Sequence, residues 1–509
     1  MEPSGPSPRC PPASAPGRGS HPAGGGEMGD IDAVVVGTGP NGLAAAVTLA
    51  RAGLKVELYE RHDVIGGGLR TVPLFDSDVV HDVCAAVHPM AAASRFFREF
   101  DLVARGVDLL RPAVSYAHPL PHGRAALAAA DLDATCAGLG EDARRWRRLM
   151  APLVARSGAV VDLLLSDLRR LPADPVAALS FARRVLQHGR GTGPFVTDGA
   201  RALLAGVAGH VVGALPSLPG AAVALLLGHL AHTDAGWPLP RGGSGVIAEA
   251  LAADITAHGG VLRTGHEIRD LGDLPPARSV LLDVAPRGFL RLAGDRLPPR
   301  YRRALRRFRY APGVAKADFL VSEPIPWTAR EVAGAGTVHL GGTQEQVFRV
   351  ETATARGRRT DEPFVLLVDP AVTDPSRASG GRRPVWAYAH VPNGDTRDPV
   401  DMIRRRIETY APGFSDTIIA SRGVSAAEME AYNPNYVGGD IASGAMTLRQ
   451  ALIRPTPRID PYRTPLPGVY LCSASVPPGP GVHAMSGYLA ALSALRNDHG
   501  VTVPPSLSP

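Results

Sequence analysis

The chain has 509 residues, of which 45% are hydrophobic, as expected for a globular protein with a large core in two or three domains. Its net charge of +6 comes mainly from scattered arginines, because Lys55 and Lys316 are the two lysines, and this pattern does not indicate a nucleic-acid-binding protein. The cysteines are far apart in the chain, which argues for a reducing compartment and against a zinc site or redox disulfide: Cys10, Cys84, Cys136 and Cys472.

The N-terminal segment, residues 1–29, is rich in Pro, Gly and Ser and lacks a signal-peptide core, so it predicts a disordered tail. No apolar run reaches the roughly 20 residues needed to span a bilayer. The apolar run at 221–230 predicts a buried helix, with contact to a membrane surface as the alternative. We therefore expect a cytoplasmic protein and leave peripheral membrane contact and the oligomeric state open.

The first predicted element is an apolar strand that leads into a glycine-rich turn. Residues 33–42 read Ala-Val-Val-Val-Gly-Thr-Gly-Pro-Asn-Gly, and a helix is predicted from 41 to 52. A second strand is predicted at 56–59, and Glu60 follows it, where it can accept hydrogen bonds from a ribose. This order of elements indicates an adenine dinucleotide site, and the alternative is a glycine-rich turn in an α/β core.

Each residue of the turn has a separate expected task. Gly37 permits the tight turn, Gly39 lets the backbone approach a diphosphate, and Gly42 lets the helix pack close to the strand. Pro40 and Asn41 lie at the start of the helix, where free N–H groups and the helix dipole favour phosphate.

Residues 91–235 are predicted to be mostly helical, because Ala, Leu and Arg dominate and prolines interrupt the pattern. From residue 237 an α/β pattern returns, and a second sheet is predicted within 310–395. A last helix is predicted at 485–496. The strands predicted in these parts are 259–263, 267–270, 279–283, 314–321, 347–352, 364–368, 385–390 and 468–472.

Further segments share a pattern with a known family. Directly after Glu60, residues 61–71 read Arg-His-Asp-Val-Ile-Gly-Gly-Gly-Leu-Arg-Thr. With the preceding strand and acid, this run resembles the extended N-terminal signature of the flavin amine oxidase and phytoene desaturase superfamily. The segments 236–243, 386–394 and 470–488 look like the phytoene-desaturase-like branch, so that the resemblance covers about residues 31–497.

The resemblance implies an α/β (α+β) fold with two domains. The first would be a Rossmann-like FAD-binding domain of the glutathione reductase and amine oxidase type, formed by residues 30–90, 236–300 and 415–500. The second would be an inserted substrate domain, a second β-sheet with helices, formed by residues 91–235 and 301–414.

The cofactor that the resemblance implies is FAD. The glycine run at 66–68 would approach the diphosphate from a second side, and the segment 473–483 would cover the flavin. The residues expected to contact FAD are Gly37, Gly39, Pro40, Asn41, Gly42, Glu60, Arg61, Gly66, Gly67, Gly68, Arg70, Thr71, Ile268, Ser473, Gly481 and Val482.

The implied reaction is transfer of a hydride from a substrate C–H to flavin N5, in a desaturase, dehydrogenase or oxidase. The helical runs 160–165 and 221–230, with the second sheet, would form a cavity for an apolar, polyene or isoprenoid-like substrate. Because no second nucleotide fingerprint follows a strand, oxygen or a quinone is the expected electron acceptor. The alternatives are a redox-neutral isomerase or cyclase, a lipid carrier like the Rab GDP-dissociation inhibitors and, less favoured, an amine oxidase.

The acid–base candidates are one lysine and two histidines, and no metal site is expected. Lys316 lies in a predicted strand of the substrate domain, and its alternative is a surface lysine. His88 precedes Pro89 near the expected flavin, and His483 lies in the covering segment. For both histidines the alternative is a role in packing.

Overall fold

A computed structural model describes residues 31–191 and 193–509, and Ile31–Pro509 forms one unit. The tail predicted at 1–29 lies outside the described residues. The helices of the described ranges are α1 (Pro40–Arg51), α2 (Pro89–Ala93), α3 (Arg95–Phe100), α4 (Leu132–Gly138), α5 (Ala143–Val154), α6 (Ser157–Leu164), α7 (Pro175–His188), α8 (Asp198–Ala208), α9 (Leu218–Leu230), α10 (Gly245–Ala257), α11 (Pro286–Ala293), α12 (Pro299–Arg306), α13 (Gln344–Ala355), α14 (Val400–Glu408), α15 (Phe414–Thr417), α16 (Ala426–Tyr432), α17 (Leu448–Leu452) and α18 (Met485–Asp498).

The strands form two large sheets and two short ribbons. A parallel sheet has the order β16-β10-β1-β2-β9, and a mixed sheet has the order β15-β11-β14-β13-β12-β6-β7. The strands are β1 (Ile31–Val36), β2 (Val56–Tyr59), β3 (Thr71–Pro73), β4 (Val80–Asp82), β5 (Leu109–Leu110), β6 (Val114–Leu120), β7 (Arg124–Ala129), β8 (Leu239–Pro240), β9 (Val261–Arg263), β10 (Ala277–Leu282), β11 (Gly313–Val321), β12 (Ala335–Leu340), β13 (Val365–Val368), β14 (Arg383–Val391), β15 (Ile418–Val424) and β16 (Val469–Leu471).

The parallel sheet is built around β1, which is buried between β10 and β2. Helix α1 follows β1 at once and packs against α10 and α18. A Cβ added at Gly42 would lie 2.0 Å from the carbonyl oxygen of Gly37, so only glycine allows this approach of helix and strand. The order of strand, turn, helix, strand at the start of the chain is confirmed.

The two faces of the mixed sheet differ in chemistry. Side chains alternate along each strand, so the register assigns every second residue to the same face. One face carries polar and aromatic side chains: Tyr116, His118, Thr337, His339, Trp386, Tyr388, His390, Lys316 and Asp318. The opposite face is apolar and packs against α14, through residues such as Ala117, Val338, Leu367, Ala387 and Phe319.

The predicted α/β class and the second sheet are confirmed, with three errors in the elements. Residues 347–352 lie in α13 instead of a strand, because Thr343 and Gln346 form a capping box that starts a helix. Residues 267–270 form no strand. The region 91–235 also contains β6 and β7, which belong to the mixed sheet.

The boundary predicted at residue 415 divides the chain before β15 (Ile418–Val424). This strand pairs with β11 in the mixed sheet, so the predicted FAD-binding segment 415–500 begins with a strand of the other sheet. Phe96 and Phe100, placed in the predicted substrate domain, pack in the same core cluster as the parallel sheet. The division into two domains stays a prediction, since residues 31–509 form one unit.

The apolar run at 221–230 is confirmed as a buried helix, α9. Leu225, Leu227 and Leu230 of this helix are buried in the protein core. Across residues 31–191 and 193–509, every helix is too short or too polar to cross a bilayer.

Candidate functional site

A cavity of about 970 Å³ extends from the glycine-rich turn after β1 to the polar and aromatic face of the mixed sheet. Helices α7 and α9 form its apolar wall through Phe181, Val185, Val223 and Leu226. A cavity of this size is typical of small-molecule and cofactor sites in proteins. The helical runs and the second sheet thus form a cavity, as the sequence predicts.

Most residues predicted to bind a cofactor line this cavity: Gly37, Gly39, Pro40, Asn41, Glu60, Arg61, Gly67, Gly68, Arg70, Ile268, Ser473, Gly481 and Val482. Of the predicted catalytic residues, His88 also lines it. The predicted residues that do not are Gly42, Gly66, Thr71, Lys316 and His483. Residues almost 450 positions apart in sequence therefore share one cavity wall.

Two glycine-rich loops approach each other on this wall. Gly37 has a φ of +98°, which favours glycine. A Cβ added at Gly67 would lie 3.1 Å from the Cα of Gly39, so side chains there would fill the space between the loops. The cavity is bordered here by backbone and by the N-terminus of α1, which fits the diphosphate of a dinucleotide.

Glu60 is buried and held in place by several donors. Its carboxylate accepts hydrogen bonds from the Thr38 N–H (3.2 Å), the Thr38 hydroxyl (2.6 Å) and the His62 N–H (2.9 Å). Arg70 donates to it at 3.0 Å and also to the carbonyl oxygen of Val64 at 2.8 Å. The carboxylate is therefore fixed at the end of β2, where a dinucleotide presents its ribose.

Asp283 is a cavity residue that sequence reasoning missed. It follows β10, and its Oδ2 accepts a hydrogen bond of 3.1 Å from the Gly42 N–H at the start of α1. Burial raises the pKa of Asp283 to about 7; the charge of Glu60 adds to this, while the Gly42 hydrogen bond opposes it. A signal was present in the sequence, because an acid at the carboxyl end of the strand beside β1 must reach this edge.

Three predicted binding residues support the turn from behind the cavity wall. Gly42 permits the close packing of α1, and Gly66 has a φ of +106°. The Thr71 hydroxyl donates to Asp82 at 2.7 Å and accepts from the Gly245 N–H at 3.0 Å, which ties β3 to α10. These three residues stabilise the loops that form the cavity wall. Their direct contact with a cofactor stays a prediction.

The C-terminal covering segment is fixed by its own hydrogen bonds. The Ser473 hydroxyl donates to the Val284 carbonyl at 2.8 Å. His483 Nε2 donates to the Gly479 carbonyl at 3.0 Å, and its Nδ1 accepts from the Met485 N–H at 3.0 Å. Burial lowers the pKa of His483 to about 4. Since both ring nitrogens are bound to backbone, the ring holds the segment in place and faces away from the cavity.

His88 lines the cavity but is also tied to the structure behind it. Its Nε2 lies 2.8 Å from the Ser244 hydroxyl, whose proton goes to the Ala85 carbonyl at 2.6 Å. The Nε2 of His88 is therefore the donor, which leaves Nδ1 without a proton on the neutral ring. Burial lowers the pKa of His88 to about 4.

The alternative of a surface position for Lys316 is wrong. Its side chain is 3% exposed, and its ammonium donates to Asp318 on the same face of β11. Asp318 also lies 3.4 Å from His81 Nδ1. Burial alone would raise the pKa of Asp318, but the charge and hydrogen bond of Lys316 together with those of His81 outweigh burial, so the pKa is lowered. Lys316 Nζ lies 5.8 Å from the centre of the Trp386 ring, one layer behind the cavity wall.

The substrate side of the cavity is formed by residues that sequence reasoning did not single out. Trp386 and Tyr388 of β14 both line it, together with Thr337 of β12 and His210 after α8. The alternation of large aromatic and small residues in the predicted strand 385–390 was a usable signal for the β14 pair. His210 and Thr337 had no such signal, because tertiary structure alone brings them together.

Comparisons with known proteins agree with this geometry. A family model described as the NAD(P)-binding Rossmann-like domain matches residues 35–100. Phytoene dehydrogenase of Streptomyces griseus is 27% identical over 77% of this chain and 78% of that protein. Putrescine oxidase bound to putrescine superposes with a TM-score of 0.55 and 16% identity, covering 92% of this chain and 98% of the oxidase.

The chain is similar to proteins of the flavin amine oxidase and phytoene dehydrogenase superfamily. The resemblance predicted from residues 61–71 is thereby confirmed, as is the prediction of an oxidoreductase. A rat relative of this oxidoreductase is 26% identical over 92% of the chain and 94% of its own length; it is called pyridine nucleotide-disulfide oxidoreductase domain-containing protein 2. A dinucleotide is the class of cofactor that these findings support.

Proposed function

We propose that this oxidoreductase binds FAD and removes a hydride from a C–H of an apolar small molecule, as a desaturase, dehydrogenase or oxidase. The observation that carries the proposal is the continuity of one cavity from the glycine-rich turn to an apolar wall. Bound FAD would supply the hydride acceptor at N5. Polyene or isoprenoid-like molecules are the substrate class that this apolar wall favours.

The nucleotide end of the cavity has polar groups that would suit the diphosphate and the ribose of FAD. Backbone at Gly39 and Asn41 would meet the diphosphate, and Glu60 would accept hydrogen bonds from the ribose. Ile268 would pack against the adenine, and Ser473 to Val482 would cover the flavin. Arg70 orients the Glu60 carboxylate through their 3.0 Å contact.

The substrate end excludes water through apolar side chains. Leu164, Phe181, Val223, Leu226 and Leu366 line it. A dry wall of this kind suits C–H chemistry, because no solvent competes for the reacting atoms. It binds carbon chains by burial of apolar surface alone.

The cavity opens to the surface beside exposed leucines. Leu186 of α7 is 61% exposed, and Leu448 of α17 is 55% exposed, yet both line the cavity. Apolar residues at an opening favour entry of a poorly soluble molecule. Contact of this opening with a membrane surface stays a prediction, as does oxygen or a quinone as the electron acceptor.

The experiment that tests the proposal is a spectrum of the purified protein. A yellow protein, or uptake of one FAD per chain by a colourless one, is the expected result. A colourless protein that does not bind added FAD would contradict the proposal and favour a lipid carrier. Substrate turnover without any electron acceptor would identify a redox-neutral isomerase or cyclase, whereas a desaturase reduces its FAD once and stops.

A further inference from the structure

The substrate end of the cavity contains one polar corner that the hydride-transfer reaction does not use. His210 and Thr337 line the cavity there, among Trp237, Leu366 and Val368. The Thr337 hydroxyl is buried and has no hydrogen-bond partner among the described residues. A buried hydroxyl without a partner is unfavourable, so this atom indicates a group that the cavity receives.

His210 is backed by a second buried histidine. The two Nε2 atoms of His210 and His339 lie 3.0 Å apart, which requires one proton between them. Burial lowers the pKa of His210 to about 3 and the pKa of His339 well below its usual value. Both rings are therefore neutral, and each has one N–H and one lone pair.

A third histidine sets the direction of this hydrogen bond. His118 Nε2 lies 2.7 Å from the Gly342 carbonyl, which can only accept, so His118 carries its proton there and its Nδ1 is a bare lone pair. A Cβ added at Gly206 would lie 2.6 Å from this Nδ1 and 2.8 Å from the Nδ1 of His339. The Nδ1 atoms of His118 and His339 thus both lie next to the same buried position beside Gly206.

Two lone pairs facing one buried spot would repel each other, and a proton on His339 Nδ1 removes the repulsion. His339 then accepts at Nε2, and the Nε2–H of His210 is the donor in their shared hydrogen bond. Among residues 31–191 and 193–509, the hydrogen bond of the His210 ring is the one at Nε2, so its Nδ1 is left as a bare acceptor on a cavity-lining ring.

We propose that this corner, His210 with Thr337, binds a neutral hydroxyl group of the substrate. The hydroxyl donates to His210 Nδ1, while the Thr337 hydroxyl supplies a further donor or acceptor beside it. This proposal rests on the proposed function, which gives the remainder of the substrate as apolar. An aldehyde or ketone oxygen would face a second acceptor at His210 Nδ1, so the Thr337 hydroxyl would be its one donor at the corner, whereas a substrate hydroxyl can donate to His210 and also accept from Thr337.

A charged amine fits the corner less well than a hydroxyl. The acidic residues that line the cavity in the described ranges are Glu60, Glu267 and Asp283, and these belong to the nucleotide end. Glu351, near the corner, is already paired with His390 at 2.7 Å. An ammonium group at His210 would therefore be buried without a counter-ion.

The test compares the binding of 1-octanol, octanal and octylamine to the purified full-length protein under anaerobic conditions. Tryptophan fluorescence reports binding, because Trp237 and Trp386 line the cavity. We expect 1-octanol to bind about tenfold more tightly than octanal, the effect of one well-formed hydrogen bond. Equal binding of 1-octanol and octanal, or tighter binding of octylamine, would overturn the proposal.

Three variants separate recognition from structure. His210→Phe keeps a ring but removes the acceptor, and should reduce the preference for 1-octanol over octanal to about one. His210→Gln retains an acceptor and should recover part of the preference. Thr337→Val keeps the shape of the side chain and should reduce the preference by a smaller factor. A preference that persists in His210→Phe would refute the assignment.

The outcome is independent of the flavin test. A colourless protein that does not bind added FAD but still prefers 1-octanol would contradict the proposed cofactor and support the polar corner. A yellow protein that binds 1-octanol and octanal equally would support the proposed cofactor and contradict the polar corner.

Discussion

The two ends of the cavity are built from different parts of the polypeptide. At the nucleotide end, backbone forms the wall: Gly37, Gly39 and Gly67 leave space that any Cβ would occupy. At the substrate end, side chains form it: Phe181, Leu226 and the aromatic residues of β14 determine its shape. The nucleotide end therefore depends on the absence of side chains, whereas the substrate end depends on which side chains are present.

The two ends therefore differ in how many amino-acid substitutions they tolerate without loss of the fold. A dinucleotide wall made of backbone has few acceptable sequences, because each glycine is fixed by a close approach. A wall made of apolar side chains accepts many residues of similar volume. We therefore expect substitutions at the substrate end to change substrate choice while cofactor binding is retained.

We expect the greatest loss of FAD retention from a side chain placed in the glycine-rich turn after β1. In Gly42→Val the new Cβ would meet the Gly37 carbonyl at 2.0 Å, so α1 must move away from β1. We expect complete loss of FAD retention and destabilisation of at least about 1–3 kcal/mol. The flavin-to-protein absorbance ratio and the thermal midpoint measure both.

A matched control for this variant is Gly158→Ala in α6, where an added Cβ meets no atom within 4 Å. It should retain FAD and leave the thermal midpoint within the range of neutral surface changes. If Gly42→Val retained FAD, the close approach of α1 to β1 would not be needed for cofactor binding at the nucleotide end.

The second effect tests the substrate end. Lys316→Met leaves Asp318 as a buried carboxylate without its cation, so the free energy of unfolding should fall by about 3–5 kcal/mol. Turnover should also fall while flavin binding is spared, because Lys316 lies behind Trp386 and away from the nucleotide end. Chemical unfolding and the flavin spectrum measure these results.

The exposed Lys55 provides the control for this change, since Lys55→Met removes the same charge at the surface. The double variant Lys316→Met/Asp318→Asn should recover most of the lost stability. A Lys316→Met variant with wild-type turnover would remove Lys316 from any part in the reaction.

A smaller effect is expected from Glu60→Arg. The new cation would face Arg70 across the present 3.0 Å contact and would displace the ribose. FAD affinity should fall by about tenfold to a hundredfold, equal to about 1.4–2.8 kcal/mol. Fluorescence titration of the apoprotein with FAD measures it, and Glu249→Arg on the exposed side of α10 is the control. Unchanged affinity would refute the ribose contact.

The smallest effect is a pH dependence at the nucleotide end. The raised pKa of Asp283, about 7, means that its carboxyl is neutral below about pH 7 and charged above it. A charged Asp283 would repel a diphosphate at the start of α1, so FAD affinity should fall as pH rises from about 6 to about 8, by up to about tenfold.

Stability of the apoprotein should follow the same direction. The native Asp283 binds a proton up to about pH 7, whereas the unfolded carboxyl loses it near pH 4, so stability falls as pH rises through this window. Asp283→Asn should flatten both profiles. An unchanged slope in this variant would assign the pH dependence to other groups.

Most residues predicted for the nucleotide end line the cavity, because the signals in that part of the sequence are local. Gly37 to Arg70 lie within one stretch of chain, and each glycine carries meaning through spacing alone. Asp283 was missed at that end, because its approach to α1 depends on the pairing of β10 with β1, which spans about 240 residues.

The substrate end could not be read in the same way. His210 and His339 meet only through the packing of α8 against the mixed sheet, and neither lies in a motif. Residues 347–352 alternate like a strand, yet the cap at Thr343 makes them helical. Among the prolines that interrupt the predicted helical pattern of residues 91–235, Pro119 lies within β6 of the mixed sheet.

Both large sheets depend on strands near the end of the chain. β15 completes the mixed sheet at residues 418–424, and β16 joins β10 only at residues 469–471, just before the covering segment. During synthesis on the ribosome, β1 can pair early with β2, whereas its other neighbour, β10, is made about 240 residues later. We therefore expect the parallel sheet to stay unfinished through most of synthesis, and chaperones that protect unfinished sheets would influence how much folded protein a cell obtains.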